Sequence, residues 1–265
     1  MRAADKTALS RRPHAAVGPL ANRVALVTGG SRGMGRAIAE RLAGEGAYVF
    51  VNFRRASRQA AICVKSIRQS GGAAEAVRAD ITSPSSVARM FELIARRMGR
   101  LDILIGNAGI APIARELDHV TPDIWNMTFA TNVAGAFFCA QRAIPLLRRS
   151  KEGQIVFIGS AAARLGGTIG PHYAASKAAL VGLVEYLSRA VGRHGITVNL
   201  VEPGFVATDL SAKLHCTPSQ RRAMRDAVPL RRIGRAEDVA AAVAFLASSG
   251  ASYVTRQRVA VSGGR

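Results

Sequence analysis

The sequence predicts a single α/β domain in which a parallel sheet of about seven strands is covered by helices on both faces. Short runs of aliphatic residues alternate with amphipathic segments along most of the 265 residues. A glycine-rich turn joins the first of these runs to the first helical segment. Strands that are buried on both faces read as short continuous apolar runs, so this alternation is typical of a doubly wound parallel sheet.

Seven aliphatic runs are the predicted strands, and the longer amphipathic segments between them are the predicted helices. The strands are expected at residues 24–27, 48–51, 74–78, 101–105, 155–158, 197–200 and 259–261. The helices are expected after the glycine turn up to Leu42, then at 56–70, 84–98, 122–149, around 173–177 and at 236–248. We see no internal repeat and no interdomain linker, so one domain spanning 23–265 is the prediction.

Two stretches depart from this rhythm. Residues 1–22 are basic, poor in acidic side chains and interrupted by proline and glycine. We expect a disordered N-terminal extension there, with an organellar targeting segment as the alternative. Residues 205–234 follow a strand end without continuing the alternation, and we expect them to form a mobile lid at the ligand edge of the sheet.

The formal charge of +20 comes mainly from arginine. Such a charge attracts polyanions, although a solvated basic surface explains it as well. No zinc finger or RNA-binding aromatic motif accompanies it, so we expect no specific nucleic-acid partner.

The apolar runs fall far short of the roughly 18 residues of a membrane span. The three cysteines form no C-x-x-C pair, so they indicate neither disulfides nor a metal site. We therefore expect a cytoplasmic protein with no membrane partner and no metal.

The turn after the first strand has the composition of a phosphate-binding loop. Glycines let the backbone turn tightly and approach a pyrophosphate, and the following helix offers free N–H groups at its N-terminus. The spacing is Gly-x-x-x-Gly-x-Gly, which differs from the generic dinucleotide fingerprint. Its place between a strand and a helix nevertheless favours cofactor binding. The candidate contacts are Gly29, Ser31, Arg32, Gly33, Met34 and Gly35.

A second motif joins a phenol to a cation. Tyr173 and Lys177 lie four residues apart and project from one face of a helix, thirteen positions after Ser160. A cation beside a phenol lowers its pKa, which is about 10 when unperturbed. With Ser160 as a hydroxyl donor, these groups are the parts needed to protonate a developing alkoxide, the chemistry of carbonyl reduction and, in reverse, of alcohol oxidation.

Taken together, these motifs resemble the short-chain dehydrogenase/reductase family over about residues 23–264. The residues that carry the resemblance are Gly29, Gly33 and Gly35, Gly106-Asn107-Ala108-Gly109, Asn132, Ser160, Tyr173, Lys177 and Pro203-Gly204. The resemblance implies a single-domain Rossmann fold that assembles as a homotetramer or homodimer. It also implies a catalytic tetrad of Asn132, Ser160, Tyr173 and Lys177.

In that tetrad, as the resemblance implies, Asn132 holds a water that links Lys177 to solvent. Ser160 steadies the carbonyl oxygen, and Tyr173 delivers the proton while a nicotinamide delivers hydride. Lys177 holds the nicotinamide ribose and lowers the pKa of Tyr173. No other cofactor and no metal is implied.

The end of the second strand decides between NAD and NADP in this family. NAD enzymes commonly place an Asp where this chain has Phe53. Arg32 and Arg54 instead suit a 2′-phosphate, so we predict NADP(H), with NAD(H) less favoured. By resemblance, Asp80 and Ile81 border the adenine, Asn107, Ala108 and Gly109 pass beside the adenosine ribose, and Pro203, Gly204, Val206 and Thr208 close over the nicotinamide.

Three positions depart from the family pattern. Gly106 replaces a common Asn, Glu202 places a carboxylate before Pro203, and Arg256 stands where relatives often have Gly. The first is tolerable because Asn107 remains. Glu202 has no role that the sequence assigns, and Arg256 makes the tetramer less secure.

The substrate is the least determined feature. In detail the chain is most similar to 3-oxoacyl-(acyl-carrier-protein) reductases, in stretches 28–35, 199–210 and 251–255, which many alcohol, sugar and specialised-metabolite reductases share. Basic residues in the expected lid and at 148–151 suit an acidic acyl carrier protein. We predict an NADPH-dependent 3-oxoacyl thioester reductase. The alternatives are a ketone or alcohol dehydrogenase of another substrate class and an NADP-binding regulator without turnover.

Overall fold

The computed structural model describes residues 18–207 and 217–265. Within them, seven strands form one all-parallel sheet in the order β3-β2-β1-β4-β5-β6-β7. The strands are β1 (Val24–Val27), β2 (Tyr48–Phe53), β3 (Ala73–Arg78), β4 (Ile103–Gly106), β5 (Gly153–Ile158), β6 (Ile196–Pro203) and β7 (Arg258–Val261). The predicted fold class is confirmed.

Helices cover both faces of the sheet. They are α1 (Gly33–Gly44), α2 (Ser57–Gln69), α3 (Pro84–Met98), α4 (Pro122–Phe129), α5 (Gly135–Leu147), α6 (Ala162–Leu165), α7 (Pro171–Val191), α8 (Pro218–Asp226) and α9 (Ala236–Leu246). Short 3₁₀ turns lie at Leu117–His119, Gly192–His194 and Ser249–Ala251. A π-helical turn at Ala130–Ala134 joins α4 to α5, so the helix predicted over 122–149 is a helical run over 122–147 that contains a π turn the sequence did not indicate.

The core has two apolar layers, one on each face of the sheet. Successive strand residues point to opposite faces, and all of the strand residues named here are fully buried. Val49 lies in the same buried cluster as Ile38 of α1 and Val243 of α9. Phe50 lies in the cluster on the other face, which includes Leu180 of α7. This double burial explains why the strands appear in the sequence as unbroken aliphatic runs.

The sheet order reverses between β1 and β4, and loops from both strands meet at that point. The backbone N–H of Thr28, just after β1, donates to the carbonyl of Ile105 in β4 at 3.0 Å. The Thr28 hydroxyl accepts from the N–H groups of Asn107 and Ala108, both at 3.0 Å. Crevices at such reversals, beyond the carboxyl ends of the strands, are where ligands bind in open α/β sheets.

The domain extends to the N-terminal side of the predicted boundary at residue 22. Leu20 is fully buried, and its N–H donates to the carbonyl of Glu45 at 2.9 Å. Residues 18–22 therefore belong to the domain. Residues 1–17, the rest of the predicted extension, lie outside the described residues.

The segment predicted to be a lid is closed at its base. Val206 forms an isolated parallel bridge with Gly234, and the N–H of Ala207 donates to the Gly234 carbonyl at 2.9 Å. Between these ends the structure describes α8, while residues 208–216 lie outside the described part of the chain. No helix in 18–207 or 217–265 has the length and apolar character needed to cross a membrane.

Candidate active site

The glycine turn brings the backbone of β1 close to the start of α1. Gly29 and Gly33 adopt positive φ values of 61° and 54°, which favour glycine. A Cβ added to Gly35 would lie 2.3 Å from the Gly29 carbonyl oxygen and 2.5 Å from Nδ2 of Asn107. The turn thus leaves its N–H groups at the N-terminus of α1 open to an anion.

A cleft of about 590 Å³ opens beside this turn. It gathers most of the residues predicted to bind a cofactor: Gly29, Ser31, Arg32, Gly33, Met34, Gly35, Phe53, Arg54, Asp80, Ile81, Asn107, Ala108, Gly109, Tyr173 and Lys177. We call it the nucleotide cleft. The sequence argument missed other residues that line it, namely Asn52, Arg55, Ala56, Gln59, Ala79, Ile110, Thr131, Ile158 and Gly159.

The far end of this cleft carries one carboxylate among several arginines. Nη1 of Arg54 lies 3.5 Å from Oδ2 of Asp80. Although partial burial of Asp80 acts in the opposite direction, hydrogen bonds from Thr82 and the charge of Arg54 lower the pKa of Asp80. Asp80 therefore stays ionised and orients Arg54, while Arg32 forms no ion pair with a described residue.

Asn132 sits in the π-helical turn and ties two elements together. Its Oδ1 accepts from the N–H of Ile110 at 2.8 Å, and its Nδ2 donates to the Ile110 carbonyl at 3.0 Å and to the Ser176 hydroxyl at 3.0 Å. π turns are frequent at functional sites because they redirect a side chain. Ser176 was named in the sequence only as a member of the Tyr173 motif, and its link to Asn132 has no signal in the sequence.

Lys177 is buried beside Asn132 and Gly109. Its Nζ donates to the carbonyl of Ile158 at 2.7 Å and lies 5.8 Å from the ring centroid of Tyr173. Burial lowers the pKa of Lys177 to about 8, since a low-dielectric environment disfavours the charged form. The ammonium is thus anchored at the end of β5, in a state that exchanges its proton near neutral pH.

The pKa of Tyr173 is shifted in the direction opposite to the one expected from the sequence. Lys177 was expected to lower it, but burial raises the pKa of Tyr173, and a hydrogen bond with Ser160 only opposes this rise. The reason is geometric, because Lys177 points to Ile158 rather than to the phenol oxygen. Near neutral pH the phenol keeps its proton, which is the form that an acid requires.

Ser160 follows β5 and is held by its neighbours. Its Oγ accepts from the N–H of Ala162 at 3.1 Å. The next residue, Ala161, donates its N–H to the Pro203 carbonyl at 2.9 Å. Because this oxygen accepts from Ala162, its hydrogen is left to donate toward Tyr173, which is the hydrogen bond that opposes the rise in the pKa of Tyr173.

A second, mostly apolar pocket of about 330 Å³ adjoins the nucleotide cleft. Met34, Gly159 and Tyr173 line both spaces, and Ser160 faces the apolar pocket. The predicted residues Pro203, Gly204 and Val206 line this pocket rather than the cleft. Thr208, predicted with them, lies outside the described residues. Tyr173 thus stands at the junction of the two spaces.

Comparison with known proteins identifies the family of the chain. A family model described as enoyl-(acyl carrier protein) reductase matches residues 29–265. The chain belongs to the short-chain dehydrogenase/reductase family. It is therefore a dehydrogenase/reductase, and the family uses NAD(P)(H) as cofactor.

Curated relatives cover nearly the whole chain. It is 39% identical over 242 residues to the 3-oxoacyl-[acyl-carrier-protein] reductase FabG of Salmonella typhimurium, covering 91% of this chain and 96% of the relative. It is 37% identical over 240 residues to FabG of Staphylococcus aureus (strain N315), with the same shares. A crystal structure of a dehydrogenase/reductase from Sinorhizobium meliloti 1021 matches with a TM-score of 0.86 and 36% identity, covering 92% of this chain and 95% of that one.

Proposed function

We propose that this dehydrogenase/reductase uses NADPH to reduce a 3-oxoacyl thioester to the 3-hydroxyacyl product. The observation that carries the proposal is the position of Tyr173, whose side chain lines both the nucleotide cleft and the apolar pocket. A proton donor at that junction can reach a carbonyl held in the pocket while the cofactor occupies the cleft.

The cleft fits a phosphorylated dinucleotide. Gly35 lets the start of α1 pack directly against the Gly29 carbonyl and Asn107, a closeness that any Cβ would prevent, and the helix N-terminus supplies N–H donors for a pyrophosphate. Phe53 brings no carboxylate to compete with a 2′-phosphate, while Arg32 and Arg54 bring two guanidinium groups. When bound, the reduced nicotinamide supplies the hydride.

The residues around the junction handle the proton. Ser160 donates a hydrogen bond to the substrate oxygen and fixes its position against the Tyr173 hydroxyl. Tyr173 then gives its proton to the oxygen as negative charge develops there. Lys177 lies within the same buried group and, with a pKa of about 8, resupplies the proton through a water held by Asn132.

The relatives support the choice of acyl thioester, because the FabG proteins are named as 3-oxoacyl-[acyl-carrier-protein] reductases. A basic surface after α5 and α7 supports an acidic carrier as partner. Desolvation and the charges of Arg148 and Arg193 lower the pKa of His194, so the cationic group on this surface consists of the two arginines beside a neutral His194. Attraction of an acidic protein to such a group speeds encounter at low salt.

Assembly as a homotetramer or homodimer is part of the same proposal. Large apolar side chains stay exposed on four different helices, namely Trp125, Phe137, Tyr186 and Phe245. Such side chains would be covered in an assembly if they belong to one contiguous surface. Light scattering coupled to gel filtration measures the assembly, and a monomer at micromolar concentration would contradict this part.

One experiment separates the proposed substrate from the alternatives. NADPH absorbance is followed with acetoacetyl thioesters of acyl carrier protein and of a small thiol, and then with a panel of ketones, sugars and quinones. The proposal expects the highest kcat/KM with the carrier-bound thioester, and an advantage over the small thioester that shrinks at high salt. Turnover of a sugar or simple ketone with no thioester reduction favours the other dehydrogenase class. Binding of NADPH without turnover of any carbonyl favours a regulator.

A further inference from the structure

Glu202 is a buried carboxylate between two arginines. Only 2% of the residue is exposed, yet it lies in β6, directly before Pro203 at the apolar pocket. Its Oε1 accepts from Nη2 and Nε of Arg258 at 2.8 and 3.2 Å. Its Oε2 lies 3.5 Å from Nε of Arg164. Each carboxylate oxygen therefore faces a different arginine.

The two arginines come from elements with different roles. Arg258 begins β7, where the strand register pairs Ala260 with Glu202, so Arg258 is its diagonal neighbour on the same face of the sheet. Arg164 lies in α6, the short helix that follows Ser160. Glu202 thus connects the edge strand β7 to α6, the helix that follows Ser160.

The helix α6 packs against α7, and its ties to the sheet are few. The N–H of Ala161 donates to the Pro203 carbonyl, and the N–H of Ala162 donates to the Ser160 hydroxyl oxygen. Beyond these, Ala162 and Leu165 form one wall of the apolar pocket. A single turn of helix is only marginally stable by itself, so its position depends on such contacts.

We propose that Glu202 is a positioning residue, which holds α6 through Arg164 and thereby fixes Ser160 and the Leu165 wall relative to Tyr173. The hydrogen bonds to Arg258 hold the Glu202 carboxylate against β7. The ion pair with Arg164 then holds α6 in place next to the reaction centre. Because a misplacement of about 1 Å in a reacting geometry costs up to about 100-fold in rate, loss of this tie affects substrate reduction more than cofactor binding.

The test compares Glu202→Gln, which keeps the shape of the side chain, with Arg164→Gln and Arg258→Gln. Steady-state kinetics use the best carbonyl substrate of the panel above, and NADPH binding is measured by fluorescence. We expect Glu202→Gln and Arg164→Gln each to lower kcat/KM by about tenfold, with NADPH affinity within about twofold of the wild type. Their double variant loses little more than either single one, because both break the same tie.

The matched variants separate positioning from simple stability. Arg258→Gln is expected to lower the melting temperature and to reduce kcat/KM less than Arg164→Gln does, and Arg164→Lys is expected to retain most of the activity. If Glu202→Gln or Arg164→Gln keeps kcat and KM at wild-type values, the proposal is wrong. It is equally wrong if Arg258→Gln reproduces the kinetic loss while Arg164→Gln has none, since Glu202 then acts through β7.

A second readout does not depend on the substrate assignment. Amide hydrogen exchange of the peptide covering 159–168 is expected to be faster in Glu202→Gln and Arg164→Gln than in the wild type, while β5 stays protected. If exchange of this peptide is unchanged in both variants, the positioning role of Glu202 is wrong. This readout needs no substrate, so it remains decisive even if no carbonyl of the panel is reduced. That second result would contradict only the proposed substrate.

Discussion

The ammonium of Lys177 donates a 2.7 Å hydrogen bond to the backbone carbonyl of Ile158, at the end of β5. This bond turns the charge toward the sheet edge and holds it 5.8 Å from the ring centroid of Tyr173. Burial then lowers the pKa of Lys177 to about 8 and raises that of Tyr173. The two groups of one helix face are therefore both shifted toward their neutral forms.

The lowered pKa of Lys177 predicts the pH dependence of reduction. Protonated Lys177 is present below about pH 8 and is lost as the pH rises through that value. We expect kcat/KM for carbonyl reduction to fall above about pH 8, because the neutral amine no longer resupplies protons. A pH–rate profile checks this, with Lys177→Met as the variant that should be slow and lack the inflection. A wild-type profile that is flat through this range would disprove the role.

The arginines of the nucleotide cleft predict the cofactor preference. Replacing Arg54 by Ala removes a guanidinium from the cleft wall and leaves Asp80 without its partner. Since a hydrogen bond between charged groups is worth about 1.5–3 kcal/mol, the ratio of kcat/KM for NADPH over NADH should drop at least about tenfold. Phe53→Asp should lower the same ratio by introducing a carboxylate. A wild-type enzyme that prefers NADH would contradict the assignment of Arg32 and Arg54.

The tight turn before α1 predicts the effect of a single methyl group. In Gly35→Ala the new Cβ would lie 2.3 Å from the Gly29 carbonyl oxygen, so the turn must shift. Affinity for NADPH, measured by fluorescence titration, should weaken about tenfold or more. Gly44→Ala at the other end of α1 is the control, because nothing lies within 4 Å of its added Cβ. Equal cofactor affinity in both variants would show that the turn does not cradle the cofactor.

The contacts of Asn132 predict a loss of stability. Asn132→Ala leaves the N–H and carbonyl of Ile110 without their partners at 2.8 and 3.0 Å. Leaving such groups unsatisfied costs about 1–3 kcal/mol each when they are buried. Both Ile110 groups are only partly buried, so we expect the free energy of unfolding in urea to fall by about 1–3 kcal/mol for the two groups together. A change below about 0.5 kcal/mol would mean that water replaces these bonds.

The fold was predictable from the sequence because the alternation of aliphatic runs and amphipathic segments specifies the order of strands and helices. Each strand is an aliphatic run buried on both faces, so β1 was placed at its observed limits. The strand β6 was ended too early, at residue 200 instead of Pro203, because Glu202 interrupts the apolar run. Its burial depends on Arg164 and Arg258, which are distant in sequence.

The membership of the candidate site was also predictable, but its orientations were not. Spacing along a helix places Tyr173 and Lys177 on one face, yet it does not say where Nζ points. The carbonyl of Ile158 that accepts from it comes from another element. The π turn at Asn132 was not predictable for the same reason. The hydrogen bonds between Asn132 and Ile110 that accompany it join residues that are distant in sequence and meet only in the folded chain.

The most direct test of the central claim is hydride transfer from NADPH to an acetoacetyl thioester in wild-type enzyme and in Tyr173→Phe. The phenylalanine ring keeps the apolar contacts of Tyr173 and removes the proton donor. General-acid catalysis is worth about 10²–10⁴-fold, so we predict that the variant retains no more than about 1% of the wild-type rate while binding NADPH with nearly unchanged affinity. A variant that reduces the thioester at close to the wild-type rate would contradict the account.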